Sequence, residues 1–172
     1  SPTPAMIASL IDDQQGERID VPPIQIVSRD GILPLSYSQE RMWFLYQLNP
    51  TSLAYNVGVS LRLDGTIDIP TFERAIKTII ERHEGLRSTF ELVGGEVSQV
   101  VHETISDVFD LSSVESYPAD KREQAAKRKL EEMNQQPFDL EEGPLLRVNM
   151  VRIQEDAHLL GLVMHHIISD AW

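Results

Sequence analysis

The strongest constraint on the fold lies near the end of the chain, in two apolar stretches four residues apart. LLRVNMVRI, Leu145 to Ile153, alternates in hydropathy with period two. HLLGLVM at 158–164 is apolar throughout after its histidine, interrupted only by Gly161. Between them Gln154–Ala157 forms a turn. Alternation marks a strand with one dry face, whereas an unbroken apolar run marks a strand covered on both. A hairpin containing such a strand needs a layer above it and a layer below. A chain of 172 residues, 41% of them hydrophobic, can supply both.

The upstream patterns supply those layers. Ser36 is placed to cap a helix beginning near Tyr37, with Gln39 three positions on completing a capping box, and Met42, Leu45, Tyr46 and Leu48 forming one face until Asn49-Pro50. From Ala54 to Leu63 the chain alternates, with Tyr55, Val57, Val59, Leu61 and Leu63 on one side and Asn56, Gly58, Ser60 and Arg62 on the other, as in a half-buried strand. TFERAIKTIIERH repeats Phe72, Ala75, Ile76, Ile79, Ile80 and His83 at helical spacing, with Pro70 in its first turn and Gly85 beyond its end. Leu86–Leu92 and Glu96–Val101 flank Val93-Gly94-Gly95 as a hairpin. Asp120–Asn134 reads as a charged surface helix with Ala125, Leu130 and Met133 turned inward. Helix, strand, helix, hairpin, helix, hairpin make a mixed α/β layered fold without internal repeats.

Residues 1–31 differ from the rest. Ala5, Ile7, Ala8, Leu10 and Ile11 allow a short helix, followed by a polar stretch with Gly16, Pro22, Pro23 and Gly31 that reads as a linker. Fifteen Lys and Arg against 27 Asp and Glu leave a net charge of −12, and the only basic run is KRKL at 127–130, which argues against a nucleic-acid partner. The chain has no cysteine, so thiolate nucleophiles, disulfides and Cys-based zinc sites are excluded. No apolar run approaches the roughly 20 residues of a membrane span, and SPTPAMIASLIDDQQGERID shows no basic stretch leading into an apolar one, so a cytoplasmic location is expected.

The chemistry concentrates in MHHIISDAW, 164–172. Three readings compete. A histidine ending a core strand is commonly a hydrogen-bonded structural residue. A metal site is disfavoured, because neighbouring side chains on a strand point to opposite faces and no His-Glu-x-x-His helix supports it. Acid–base chemistry is the third: an imidazole accepts a proton from an amine or hydroxyl at neutral pH when its tautomer and ring orientation are fixed. Asp170, four residues after His166, is placed either to orient that ring or to brace the loop through an arginine. Adjacent positions on opposite faces also predict that one histidine is functional and the other structural.

Three stretches in order resemble the condensation domains of nonribosomal peptide synthetases: SYSQERMWFL at 36–45, RHEGLRSTF at 82–90 and MHHIISDAW, which carries a His-His-x-x-x-Asp core. The resemblance runs from about Ile32 to Trp172. It implies a chloramphenicol acetyltransferase-like layered sandwich, of which this chain is the N-terminal subdomain, with residues 1–31 a carrier-protein remnant and interdomain linker. Trp172 is then a truncation point, and the missing C-terminal half is a required partner.

The resemblance further implies amide formation between a donor acyl or peptidyl thioester and an acceptor aminoacyl thioester, delivered on phosphopantetheine arms by upstream and downstream carrier proteins. No tightly bound cofactor or metal is implied, and the chain alone is expected to be inactive. His166 is the implied catalytic residue, as a base or as a group orienting the acceptor amine. His165, Asp170, Arg82 and Arg87 are implied supports, with Arg82 the expected ion-pair partner of Asp170. Paired histidines argue against the heterocyclising branch, and the wording of the first two motifs favours an L-configured donor. An epimerisation domain, another acyltransferase of the same fold and a non-catalytic carrier-docking module are the alternatives. One departure from the pattern is Ala171, where glycine is usual.

Overall fold

The computed structural model describes residues 3–6, 8–9, 22–23, 25–29 and 31–170. Ile7, Leu10 and Ile11 of the first expected helix, most of the expected linker, Ala171 and Trp172 lie outside them.

Helix α1 (Tyr37–Leu48) begins where the capping pattern puts it. Gln39 N donates to Ser36 Oγ at 3.3 Å and Ser36 N donates to Gln39 Oε1 at 2.9 Å, so two of the otherwise unpaired amides at the helix start are satisfied reciprocally. Its buried residues are Met42 and Trp43, with Tyr46 beside them; Leu48 is exposed, against expectation. Six residues from Met42 is about 240° of rotation, which carries Leu48 to the far side of the helix.

A four-stranded sheet follows, in the order β1 (Asn56–Asp64), β6 (Ala157–His165), β5 (Leu146–Gln154), β4 (Phe109–Ser113). The β1/β6 and β6/β5 pairs are antiparallel and β4/β5 is parallel. As the apolar run requires, β6 is central and buried along most of its length. Strand β4 has no counterpart in the sequence pattern: five residues, FDLSS, hold too few alternations to register as a period.

Helix α3 (Arg122–Asn134) lies across one face, burying Ala125, Ala126, Leu130 and Met133. Glycine permits the approach. A Cβ at Gly161 would stand 2.8 Å from Leu130 Cδ2 and 2.9 Å from Met133 Cε, and one at Gly58 2.8 Å from Asn134 Oδ1. Val151, Ile153, Leu159 and Val163 complete this core together with Met42 and Trp43.

Helix α2 (Ile69–Arg82) covers the opposite face, capped by Asp68 with Pro70 in its first turn. Phe72, Ile76 and Ile80 pack on Val148, Met150 and Leu160, and the Phe72 and Phe109 rings lie 5.8 Å apart. This cover reaches β1 only at Leu63, and the expected dry residues Val57, Val59 and Leu61 remain 46%, 48% and 46% exposed. The strand and its alternation are present, but β1 is an edge strand and α2 lies over the other end of the sheet.

The expected hairpin forms a separate two-stranded sheet, β2 (Ser88–Val93) and β3 (Glu96–Val101), turned at Gly94 and Gly95 with φ of 64° and 94°. The strand starts at Ser88 because Glu84–Arg87 is a 3₁₀ turn. The segment before α1 runs beside β3, with Gln99 N donating to Leu33 O at 3.1 Å and Leu33 N to Ser98 Oγ at 3.1 Å. Among the described residues no helix is long and apolar enough to cross a membrane.

Candidate functional site

The site is built where β6 runs out. His165 N donates to Leu145 O at 3.0 Å and His166 N donates to Tyr55 O at 2.9 Å, so both neighbouring strands fix the backbone of the histidine pair. The chain then tightens into a 3₁₀ turn, His166–Ile168, and returns to an extended conformation at Ser169.

The two imidazoles have different surroundings. His165 is 4% exposed, its ring 6.2 Å from those of Tyr55 and Phe138, and its Nδ1 accepts from Ile167 N at 3.1 Å. Accepting there leaves any proton of the neutral ring on Nε2. Burial pushes the His165 imidazole down to about 4, helped by the adjacent His166, so His165 is uncharged at neutral pH and serves as an internal brace of the turn.

His166 is half-buried, and its Nδ1 lies 2.6 Å from Ser169 O. A carbonyl oxygen only accepts, so this contact assigns the proton to Nδ1 and leaves the lone pair on Nε2. His166 lines a cleft of about 390 Å³ together with Ile167 to Asp170 and, across from them, Ser36, Ser38, Gln39, Arg41 and Met42 at the start of α1. Gln39 Nε2 donates to Ile167 O at 3.4 Å, tying the helix start to the turn. A neutral imidazole held in this tautomer can accept a proton, or orient an N–H or O–H, within the cleft.

The other expected site residues are less tightly grouped. Asp170 lines the same cleft, while the partner of His166 Nδ1 is the Ser169 carbonyl. Arg82 stands exposed at the end of α2. Arg87 Nη1 donates to His102 O, and His102 N donates back to Arg87 O at 3.0 Å, so Arg87 braces the open end of the β2–β3 hairpin. Ile168 meets Arg82 and Arg87 along a second cleft behind the turn. Among the described residues no three His, Asp or Glu side chains converge as a metal site.

Three contributors have no signal in the sequence. The capping pattern marks Gln39 as a cap only, although the same side chain reaches the His166 turn. The carbonyls of Tyr55 and Ser169 act through atoms that every residue possesses, so no residue type signals them.

Comparison with known proteins points one way. The family model for the condensation domain matches residues 29–172. A linear gramicidin synthase protein from Brevibacillus parabrevis is 42% identical over 149 residues, 87% of this chain and 2% of its own length. Gramicidin S synthase 2 from Brevibacillus brevis is 38% identical over 170 residues, 99% of this chain and 4% of its own length. The chain thus spans only a few per cent of these curated relatives. Among solved structures, the starter condensation domain of rhizomide synthetase RzmA aligns with a TM-score of 0.75 at 24% identity, over 83% of this chain and 35% of that one. The complex of the X-domain and OxyB from teicoplanin biosynthesis contains a chain aligning with a TM-score of 0.72 at 27% identity, over 87% of this chain and 31% of that one. The layered α/β architecture expected from the resemblance, chloramphenicol acetyltransferase-like, is the one found, and the share of each solved chain accords with a single subdomain. On the family match, the fold and the histidine-bearing turn at the end of β6, this chain belongs to the condensation-domain family.

Proposed function

We propose that this chain supplies one wall of an amide-forming condensation site in a nonribosomal peptide synthetase, with His166 acting on the acceptor amine. The observation that carries the reading is the 2.6 Å contact from His166 Nδ1 to Ser169 O, which leaves Nε2 as the acceptor of a ring that lines the cleft. In the reaction, the acceptor α-amine attacks the donor thioester carbonyl carbon, a C–N bond forms and the C–S bond breaks. The donor thiol leaves, and the proton lost by the amine ends on the thiolate. His166 Nε2 accepts a hydrogen bond from the attacking amine and either holds it in line or carries its proton. A thioester is already activated, so orientation contributes as much as proton removal.

In this reading His165 and the 3₁₀ turn hold His166 in place from the core side, and Asp170 and Arg82 border the site as supports. The partners are upstream and downstream carrier proteins presenting phosphopantetheine-borne thioesters, together with the remaining part of the domain that closes the cleft. Residues 1–31 serve as linker from a preceding carrier, and the whole assembly works in the cytoplasm with no tightly held cofactor.

The test is amide formation between two loaded carriers by the intact synthetase carrying His166→Ala. A loss of about 10²-fold or more is the size expected for removing a positioned acid–base group. Product at the wild-type rate removes His166 from the reaction.

A further inference from the structure

The segment before α1 is fastened close to the catalytic turn by one side chain. Arg29 Nη2 lies 2.7 Å and Nε 3.1 Å from Glu84 Oε2, Nε lies 3.3 Å from Oε1, and Nη1 donates to Val27 O at 2.9 Å. All three guanidinium nitrogens are engaged, in the forked geometry that makes arginine–carboxylate pairs directional. Glu84 opens the 3₁₀ turn Glu84–Arg87. That turn is anchored from the inside by Ser88, which is fully buried and donates its Oγ to Glu84 O at 2.7 Å.

The same turn backs the His166 turn. A Cβ at Gly85 would stand 3.8 Å from Ile168 O, and Leu86 and Ile168 pack into one core cluster. Glu84, Gly85 and Leu86 share a cleft wall with Ile168. Ile168 is covalently joined to Ser169, whose carbonyl holds the His166 proton on Nδ1. A continuous path therefore runs from Arg29 to Glu84, along the chain to Gly85 and Leu86, across to Ile168 and on to the His166 ring that lines the cleft. On the opposite side the turn is tied through Gln39 to α1.

We infer that Arg29 and Glu84 are positioning residues, a clamp that registers the incoming linker against the back of the His166 turn and so sets the rate of the acyl-transfer step. The inference rests on the condensation reading of His166. Neither residue touches substrate, and their joint effect is on how well Nε2 is aimed. Because the pair is partly exposed, at 44% and 42% of the side chains, its influence is modest and sensitive to salt.

The experiment uses the intact synthetase with two loaded carriers and four proteins: Arg29→Gln, Glu84→Gln, the double variant Arg29→Glu with Glu84→Arg, and His166→Ala. Each single neutralising variant lowers kcat by roughly two- to fivefold, the range an exposed pair transmits, with KM for the carriers unchanged. The charge swap restores most of the loss. Ionic strength near 1 M brings the wild type down towards the single variants, because the Debye length then falls to about 3 Å. A wild-type kcat in Arg29→Gln, or a swap no better than the singles, overturns the clamp. The two readings fail separately: wild-type product formation by His166→Ala removes His166 from the reaction whatever the clamp variants do.

Discussion

The two faces of the four-stranded sheet are made from different residues and are covered in different places. On the α3 face, glycines at 58 and 161 let the helix descend until Leu130 and Met133 touch the strand backbone, and Val151 and Val163 are completely buried. On the α2 face the helix covers β5, part of β6 and the start of β4, while Val57, Val59 and Leu61 of β1 stay about half exposed, with Ile79 of the helix itself also exposed. Apolar residues alone do not close a face, since β1 turns Val57, Val59 and Leu61 to the α2 side and Gly58 and Ser60 to the α3 side. The difference is where each helix lies: α3 seats over Gly161 and Gly58, whereas α2 packs on Val148, Met150 and Leu160 and leaves most of β1 open. The α3 face carries His165 at the end of β6, so this packed layer supports the His166 turn.

Removing a contact at the closest approach gives the largest expected contrast. Leu130→Ala deletes the side chain that fills the space above Gly161, and a cavity there costs about 2–5 kcal/mol of unfolding free energy. Ile79→Ala on the exposed side of α2 stays within about 0.5 kcal/mol. Urea unfolding of both variants checks the pair. Equal losses would mean that the two faces are equally packed.

The closed face also predicts how stability follows pH. His165 titrates at about 4 when folded against an ordinary value of 6.5, with burial as the main cause, so between those values the unfolded chain binds more protons than the folded one. Stability is therefore full above pH 6.5 and falls as the pH drops towards 4, by up to roughly 3 kcal/mol from this residue. His158, buried at the start of β6, is shifted down by burial as well and adds loss in the same direction. His165→Asn keeps an acceptor for Ile167 N and removes the titration. Unfolding free energies at about pH 7 and about pH 5 should then differ less in the variant than in the wild type. An unchanged pH slope would show that His165 is not held neutral by its surroundings.

What the sequence discloses follows the same division. The capping box at Ser36 and Gln39, the continuous apolar run of β6 and the inward set of α3 are local patterns, and each appears in the structure where the pattern puts it. The His-His-x-x-x-Asp stretch is likewise visible as a constellation of residue types. The exposure of β1 is not legible, because alternation tells which residues share a face and says nothing about whether a helix lies over it. Strand β4 is too short to show a period, and its parallel pairing depends on β5, distant in sequence. The acceptor that fixes the His166 tautomer is a main-chain oxygen, which has no sequence signature. The expected Arg82–Asp170 pair comes from the resemblance, and in the structure Arg82 is exposed at the end of α2 while Asp170 lines the His166 cleft.

The smallest expected effect is also the most direct comparison of the two faces. Val59 and Val163 are both valines in adjacent strands of one sheet, and threonine has nearly their shape. At Val163, which is fully buried, Val→Thr places a hydroxyl among Leu159, Leu130 and their neighbours, and an unpaired buried hydroxyl costs about 1–3 kcal/mol. At Val59, 48% exposed, the hydroxyl reaches water and the β-branched shape is kept, so the change stays within about 0.5 kcal/mol. Urea unfolding at two protein concentrations separates burial within one chain from burial between chains. A Val59→Thr cost that matches Val163→Thr and grows with concentration would mean that a second copy covers β1. A matching cost independent of concentration would mean that α2 closes over that edge after all.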